Sequence, residues 1–161
     1  MSIEIRPARP DDALVIARFN AALASESEAR TLDMSRLQNG VEALLSDSGK
    51  GRYWLAEVDG HVAGQISVTY EWSDWRNAVF WWIQSVYVPP EHRSAGVFRA
   101  LYAHVEELAQ KDDSVCGIRL YVDHDNKRAQ DIYRHVGLDV AGYEVMELDY
   151  RNRGKLDVEE R

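Results

Sequence analysis

The amino-acid sequence predicts a mixed α/β domain, with an antiparallel sheet in its first half and a βαβ crossover in its second. Three observations carry this. Alternating or continuous apolar runs crowd the stretch from Tyr53 to Val88, separated by turn residues. Two helical apolar stripes precede that stretch and two follow it. Between the last two stripes lies the alternation Ile118, Leu120, Val122, the pattern of a crossover strand.

Each element has its own warrant. Ile3, Ile5 and Pro7 bracket a short opening strand. Pro10-Asp11-Asp12 starts a helix with acids in its first turn, where the helix dipole favours them, and Leu14, Val15, Ala17 and Ala21 continue it. Ser25 to Thr31 is polar and reads as a loop. Ser35 to Leu45 carries Leu37, Val41, Leu44 and Leu45 on one helical face. Tyr53 to Val58 leads into Asp59-Gly60, a tight hairpin signal, and His61 to Tyr70 returns with Val62, Gly64, Ile66 and Val68 on one face. After the polar turn Ser73 to Asn77, Ala78 to Val88 is rich in aromatic and β-branched residues and ends at Pro89-Pro90. Arg93 to Gly96 opens a helix running to about Lys111, with Val97, Leu101, Val105 and Leu108 inward. Asp125-Asn126 opens the last helix, which Gly137 closes. Val140 to Tyr150 reads as a final strand or strand pair, and Arg151 to Arg161 as a charged tail. No repeat or linker divides residues 1–150, which read as a single domain; 161 residues fit one.

Composition narrows the function. A formal net charge of -8 argues against a nucleic-acid partner, because phosphate backbones demand clustered Lys and Arg. The same charge suits a cationic substrate or an ordinary soluble protein. Cys116 is the single cysteine, so neither an intrachain disulfide nor a cysteine zinc cluster is expected; beside Gly117 it reads as a buried structural thiol. His61, His92, His104, His124 and His135 show no metal-ligand spacing, so no metal is expected. No apolar run reaches the ~18 residues a membrane span needs, and Met1 to Arg6 lacks a signal-peptide core. The expectation is a cytoplasmic protein with no membrane partner.

The chemistry concentrates in two segments. In the first, Gln84 to Phe98, a strand runs into a loop whose Gly96 opens a helix. A helix N-terminus presents unpaired N–H groups and a positive dipole end, and glycine lets backbone approach a ligand, so the segment suits a phosphate or pyrophosphate. In the second, Asn126, Ala129, Tyr133 and Gly137 are spaced along the last helix. Asn126 reads equally as a helix N-cap, and Tyr133 as core packing beside Ala129 and Val136.

Both segments resemble the GNAT acetyltransferases. Val86-Tyr87-Val88-Pro89 and Arg93-Ser94-Ala95-Gly96-Val97-Phe98 stand where that family has V-x-V-x-P followed by [RQ]-x-x-G-x-[GA]. Val122 through Leu138 stands where it has V-x-x-x-N-x-x-A-x-x-x-Y-x-x-x-G-[FL]. The resemblance implies the family's acyl-CoA N-acyltransferase fold, a mostly antiparallel sheet of six to seven strands with about four helices. It implies acetyl-CoA as co-substrate, with backbone of Val86, Tyr87 and Val88 pairing with the pantetheine arm. It further implies that amides of Ser94, Ala95, Gly96, Val97 and Phe98, with Arg93, cradle the pyrophosphate, and that Asn126 contacts the cofactor. Tyr133 would protonate or hydrogen-bond the leaving thiolate. Phe98 departs from the family's Gly or Ala.

The acceptor is implied to be a primary amine of a small molecule, polyamine-like or amino-acid-like. A looser likeness to diamine acetyltransferases places an acid at the position of Gln84, and glutamine cannot act as a base. Glu26 and Glu28 in the first interhelical loop, Glu71 and Asp74 near the strand turn, and Asp123 and His124 are the alternative acids and bases. Drawing the deprotonated amine from solution is another route. Trp81 and Trp82 must face opposite sides of their strand; one is core, and the other, with Trp72, lines the acceptor site or a dimer face. A homodimer is a family-level expectation. Two alternatives stay open: a noncatalytic acyl-CoA-binding module, and an acetyltransferase acting on protein N-termini or lysines.

Overall fold

Asp59 (φ 52°) and Gly60 (φ 78°) are both left-handed, which a two-residue hairpin turn requires, and they close the tight hairpin at the centre of the sheet. The computed structural model describes residues 1–151, and the chain forms two compact units, Met1–Tyr121 and the chain from Val122. The first unit contains β1 (Ile3–Pro7), α1 (Ala13–Glu28), α2 (Met34–Leu45), β2 (Arg52–Val58), β3 (His61–Ser73), β4 (Ala78–Tyr87), α3 (Val97–Lys111) and β5 (Val115–Leu120). The second contains α4 (Lys127–His135).

The five strands lie in sequence order. All neighbours are antiparallel except β4 and β5, which are parallel and joined through α3, the expected crossover. Strand alternation gives the sheet two apolar faces. Tyr53 and Leu55 meet Ala13, Ile16 and Ala17 of α1 and Val41 of α2. The opposite face receives α3, where Trp54 meets His104 edge-on with ring centroids 6.1 Å apart. Gly64 permits this approach: a Cβ there would lie 2.9 Å from Val97 Cγ1 and 3.1 Å from the Tyr87 carbonyl oxygen. Leu101 and Val105 complete the buried stripe of α3.

Three strands each carry one unpaired extra residue. Ala56 pairs with Gly64 but Glu57 with Val62, so Ala63 is bulged. Ser67 pairs with Ser85 but Val68 with Ile83, so Gln84 is bulged. Val79 pairs with Val115 but Phe80 with Gly117, so Cys116 is bulged. These bulges correct two expectations. Val62 turns away from the face of Gly64, Ile66 and Val68 and packs against the α1 core. Cys116, expected as a buried thiol, is exposed, because the bulge lifts it out of the inward alternation on an edge strand.

Helix α1 also runs further than expected, through Ser25 to Glu28, so Glu26 and Glu28 belong to its last turn rather than to a loop. In the second unit, the Asn126 side chain caps α4 by accepting the Ala129 N–H at 3.0 Å. Gly137 (φ 103°) follows the helix, its N–H bonding the Arg134 carbonyl at 3.0 Å. The predicted strand from Val140 to Tyr150 is absent: no ladder forms over these residues among the described ones, and the sheet has five strands rather than six or seven. An alternating pattern specifies which side chains share a face, but a strand forms only where a neighbour takes up its N–H and C=O groups. Of the predicted charged tail, all but Arg151 lies outside the described residues. No described helix is long and apolar enough to cross a membrane.

Candidate active site

The parallel pair β4–β5 ends at Ile83–Leu120, while β4 continues to Tyr87 and stays paired with β3 through Gln65–Tyr87. From Gln84 to Tyr87 the outer edge of β4 therefore has no strand partner among the described residues. Unpaired backbone amides and carbonyls along an extended edge are what an elongated, amide-bearing ligand needs. The bulge at Gln84 falls where the two strands part, and it leaves that side chain exposed, donating from Nε2 to Thr69 Oγ1 at 3.0 Å.

Beyond the edge, Pro89 and Pro90 stop the strand, and the chain turns into α3 through Ser94 (φ 65°) and Gly96 (φ 85°). Gly96 is the N-cap of α3, and no atom lies within 4 Å of where its Cβ would be. The first N–H groups of a helix have no intrahelical acceptor, and the dipole adds positive potential there. The loop thus offers donors in front of open space. The Phe98 ring stacks along the helix on Tyr102, centroids 6.2 Å apart, and is half-buried. Burial, aided by Glu106, pushes the Tyr102 phenol up to about 12.

Arg93 does not stand free in this loop. Its Nη2 donates to Glu26 Oε2 at 2.6 Å and its Nε to the Val88 carbonyl at 2.8 Å, with the guanidinium 5.7 Å from the centre of the Tyr87 ring. The Tyr87 hydroxyl donates to Glu26 Oε1 at 3.0 Å. Arg93 foremost, and Tyr87 after it, hold the Glu26 carboxyl below the usual carboxylate range. Burial, then the bond to Glu26, pushes the Tyr87 phenol up. Glu26 therefore belongs with the loop, away from Glu71 and Gln84.

Those two share the sheet face that carries α1. Thr69 pairs with Trp82 and Glu71 with Phe80, so all four side chains point to this face. Trp82 packs on Tyr121 with centroids 4.5 Å apart, and Arg119 bonds Glu71 at 2.6 Å while lying 3.7 Å over the Phe80 ring. Trp81 is core, as one of the two neighbours had to be. Trp72, 61% exposed, alternates with Glu71 and faces the opposite side, so it does not share a surface with Trp82 as the sequence suggested.

The sequence model of the Acetyltransferase (GNAT) family matches residues 19–138. The chain belongs to the GNAT acetyltransferase family. It is an acetyl-transferring enzyme of that family, which uses acetyl-CoA as co-substrate. A possible acetyltransferase from Clostridium difficile 630 is 45% identical, with a TM-score of 0.88, 92% of this chain and 98% of that one covered. A ribosomal-protein-alanine N-acetyltransferase from Brucella melitensis biovar Abortus 2308 shares the fold at 18% identity and a TM-score of 0.74, covering 92% of this chain and 99% of that one. So does an integron cassette protein from the mobile metagenome of Cole Harbour Salt Marsh, at 19% identity, a TM-score of 0.78, and 91% and 90% covered. No curated protein matches the chain.

The open β4 edge and the Gly96 loop offer backbone donors and acceptors of the kind that an amide-bearing, phosphorylated cofactor takes up. In the second unit Tyr133 is half-buried, and burial pushes its phenol above the ordinary range. Among the described residues no group of three or more His, Cys, Asp or Glu side chains is placed to hold a metal ion. Sequence reasoning missed a polar group behind the edge. Asn20, Gln65 and Ser85 form a buried hydrogen-bonded cluster. The available signal was Gln65 itself, an amide set between Gly64 and Ile66 within a strand.

Proposed function

We propose that this GNAT enzyme acetylates a primary amine of a small molecule, polyamine-like or amino-acid-like. The observation that carries the cofactor reading is the unpaired β4 edge running directly into the Gly96 loop. On this reading, backbone groups of Val86, Tyr87 and Val88 hold the pantetheine arm. Amides of Ser94 to Phe98, with Arg93, hold the pyrophosphate. Asn126 lies in the family's second motif and would add a contact while capping α4.

Acetyl-CoA supplies an activated acyl group whose carbonyl carbon an amine can attack directly. The chain's part is to orient the thioester along β4 and to receive the charge of the departing thiolate. Tyr133 is the proposed proton donor, supported by its motif position. Gln84, exposed at the bulge, would orient the acceptor or a water. Glu71 already neutralises Arg119, so it enters the acceptor site as a paired carboxylate. Glu26 is engaged by Arg93 and Tyr87, and it acts through the cofactor loop. No side chain is assigned as the base; the amine loses its proton to solvent before attack. Net charge of -8 supports a cationic acceptor over nucleic acid.

The test is release of free CoA from acetyl-CoA across three panels: polyamines, amino acids and short peptides, with the acetylated product identified by mass spectrometry. Turnover of a polyamine or amino acid is the expected result. Turnover of peptides alone would replace a small-molecule acceptor with a protein one.

A further inference from the structure

Gln65 is fully buried and Ser85 nearly so, at 0% and 5% exposure, in a sheet interior whose buried side chains are otherwise apolar apart from Ser67. Gln65 Nε2 donates to Asn20 Oδ1 at 2.8 Å and to Ser85 Oγ at 2.9 Å. Ser85 Oγ donates to Asn20 Oδ1 at 2.7 Å, and Asn20 Nδ2 donates to the Tyr53 hydroxyl at 3.0 Å. One cluster therefore ties α1, β2, β3 and β4 together. Gln65 Oε1 has no partner. Turning both amides over preserves every pair and leaves Nε2 unsatisfied instead, so the cost is built into the arrangement.

An apolar residue in place of Gln65, opposite Leu55, would hold α1 to the sheet without that cost. The location supplies a reason for it. Ser85 is the residue immediately after the Gln84 bulge, where β4 loses its β5 partner and its register against β3 shifts by one. A one-residue slip past a bulge turns the following side chains to the opposite face, so the register there has to be specified. A hydroxyl bonded to fixed amides on α1 and β3 specifies it.

We propose that Asn20, Gln65 and Ser85 are positioning residues for the cofactor: they fix the register of β4 at the bulge and so hold the Gln84–Tyr87 edge where the pantetheine arm pairs. This rests on the cofactor reading above. It separates from a role in plain stability, because only the part of the cofactor lying along the edge should feel it.

The test compares binding of two probes by calorimetry: CoA, and adenosine 3′-phosphate 5′-diphosphate, which lacks the pantetheine arm. Ser85→Ala and Asn20→Leu should each weaken CoA about tenfold and leave the nucleotide unchanged. Asn20→Asp keeps an acceptor for Ser85, Gln65 and Tyr53 and should restore CoA binding. Asn20 is only half-buried, so its variants report even if Ser85→Ala does not fold. Parallel losses for both probes, or no loss for either, would overturn the positioning role. Failure of the unaltered chain to bind CoA while still binding the nucleotide would overturn the cofactor reading, and this proposal with it.

Discussion

Arg93 of the loop before α3 and Glu26 of α1, 67 positions apart in the chain, meet at 2.6 Å. Both side chains remain more than 40% exposed, at 46% and 43%, so the pair is worth at most about 1 kcal/mol. Its importance is electrostatic: the arginine proposed to meet a cofactor phosphate is already shared with a carboxylate. Glu26→Gln should strengthen acetyl-CoA binding about twofold, and Arg93→Ala should weaken it, with a shallower salt dependence. Titrations at low and high salt check both.

Tyr133→Phe removes the proposed proton donor and little else. We expect kcat to fall by at least about 100-fold with KM for acetyl-CoA nearly unchanged. An unchanged kcat would remove Tyr133 from the chemistry and leave its phenol a packing group.

Gly64→Ala places a methyl group 2.9 Å from Val97 Cγ1 and 3.1 Å from the Tyr87 carbonyl oxygen, and the second of these neighbours is backbone. Overpacking of this kind costs about 1 to 3 kcal/mol. Thermal unfolding should show a lowered midpoint. Because Tyr87 lies on the open edge, acetyl-CoA affinity should fall as well.

Arg6 grips Asp12 through two bonds, at 2.8 and 3.0 Å, and Glu57 through a third at 2.6 Å, joining β1, the turn before α1, and β2. The Arg6 bonds foremost hold the Asp12 carboxyl below its ordinary range. A depressed carboxylate binds its proton less readily folded than unfolded. Its stabilisation is complete above the unfolded value, about 3.9, and is lost as pH falls through the lower folded value. Asp12→Asn should cost about 2 kcal/mol of stability at neutral pH, lowering the midpoint, and flatten the acid limb of a midpoint-versus-pH series.

How much of this was legible in the sequence depends on whether the signal was local. The Asp59-Gly60 turn, the Gly96 N-cap, the Asn126 cap and the Gly137 stop are short-range chemistry, and each formed where its residues predicted. Parity along a strand was legible only between bulges. Ala63, Gln84 and Cys116 each shift the count by one, and that is why Val62 and the Cys116 thiol turned up on unexpected sides. Trp72 and Trp82 were grouped by composition, yet alternation in β3 and pairing with β4 put them on opposite faces. The ion pair of Arg93 with Glu26 and the cluster of Asn20, Gln65 and Ser85 depend on long-range packing, which one sequence does not encode as a pattern. Motif spacing placed the Gly96 turn at the start of α3 but was silent on what lies behind it.

Acetyl-CoA is proposed to bind at the β4 edge and the Gly96 loop. Thermal unfolding with and without acetyl-CoA, in the unaltered chain and in Gly96→Trp, tests it most directly. Acetyl-CoA at a hundredfold excess over Kd should raise the midpoint of the unaltered chain by about 5 to 10 °C. The variant must hold a side chain at φ 85°, which costs about 1 kcal/mol, so it should melt slightly lower and show no rise. No rise in the unaltered chain at millimolar acetyl-CoA, or an equal rise in both, would contradict the account.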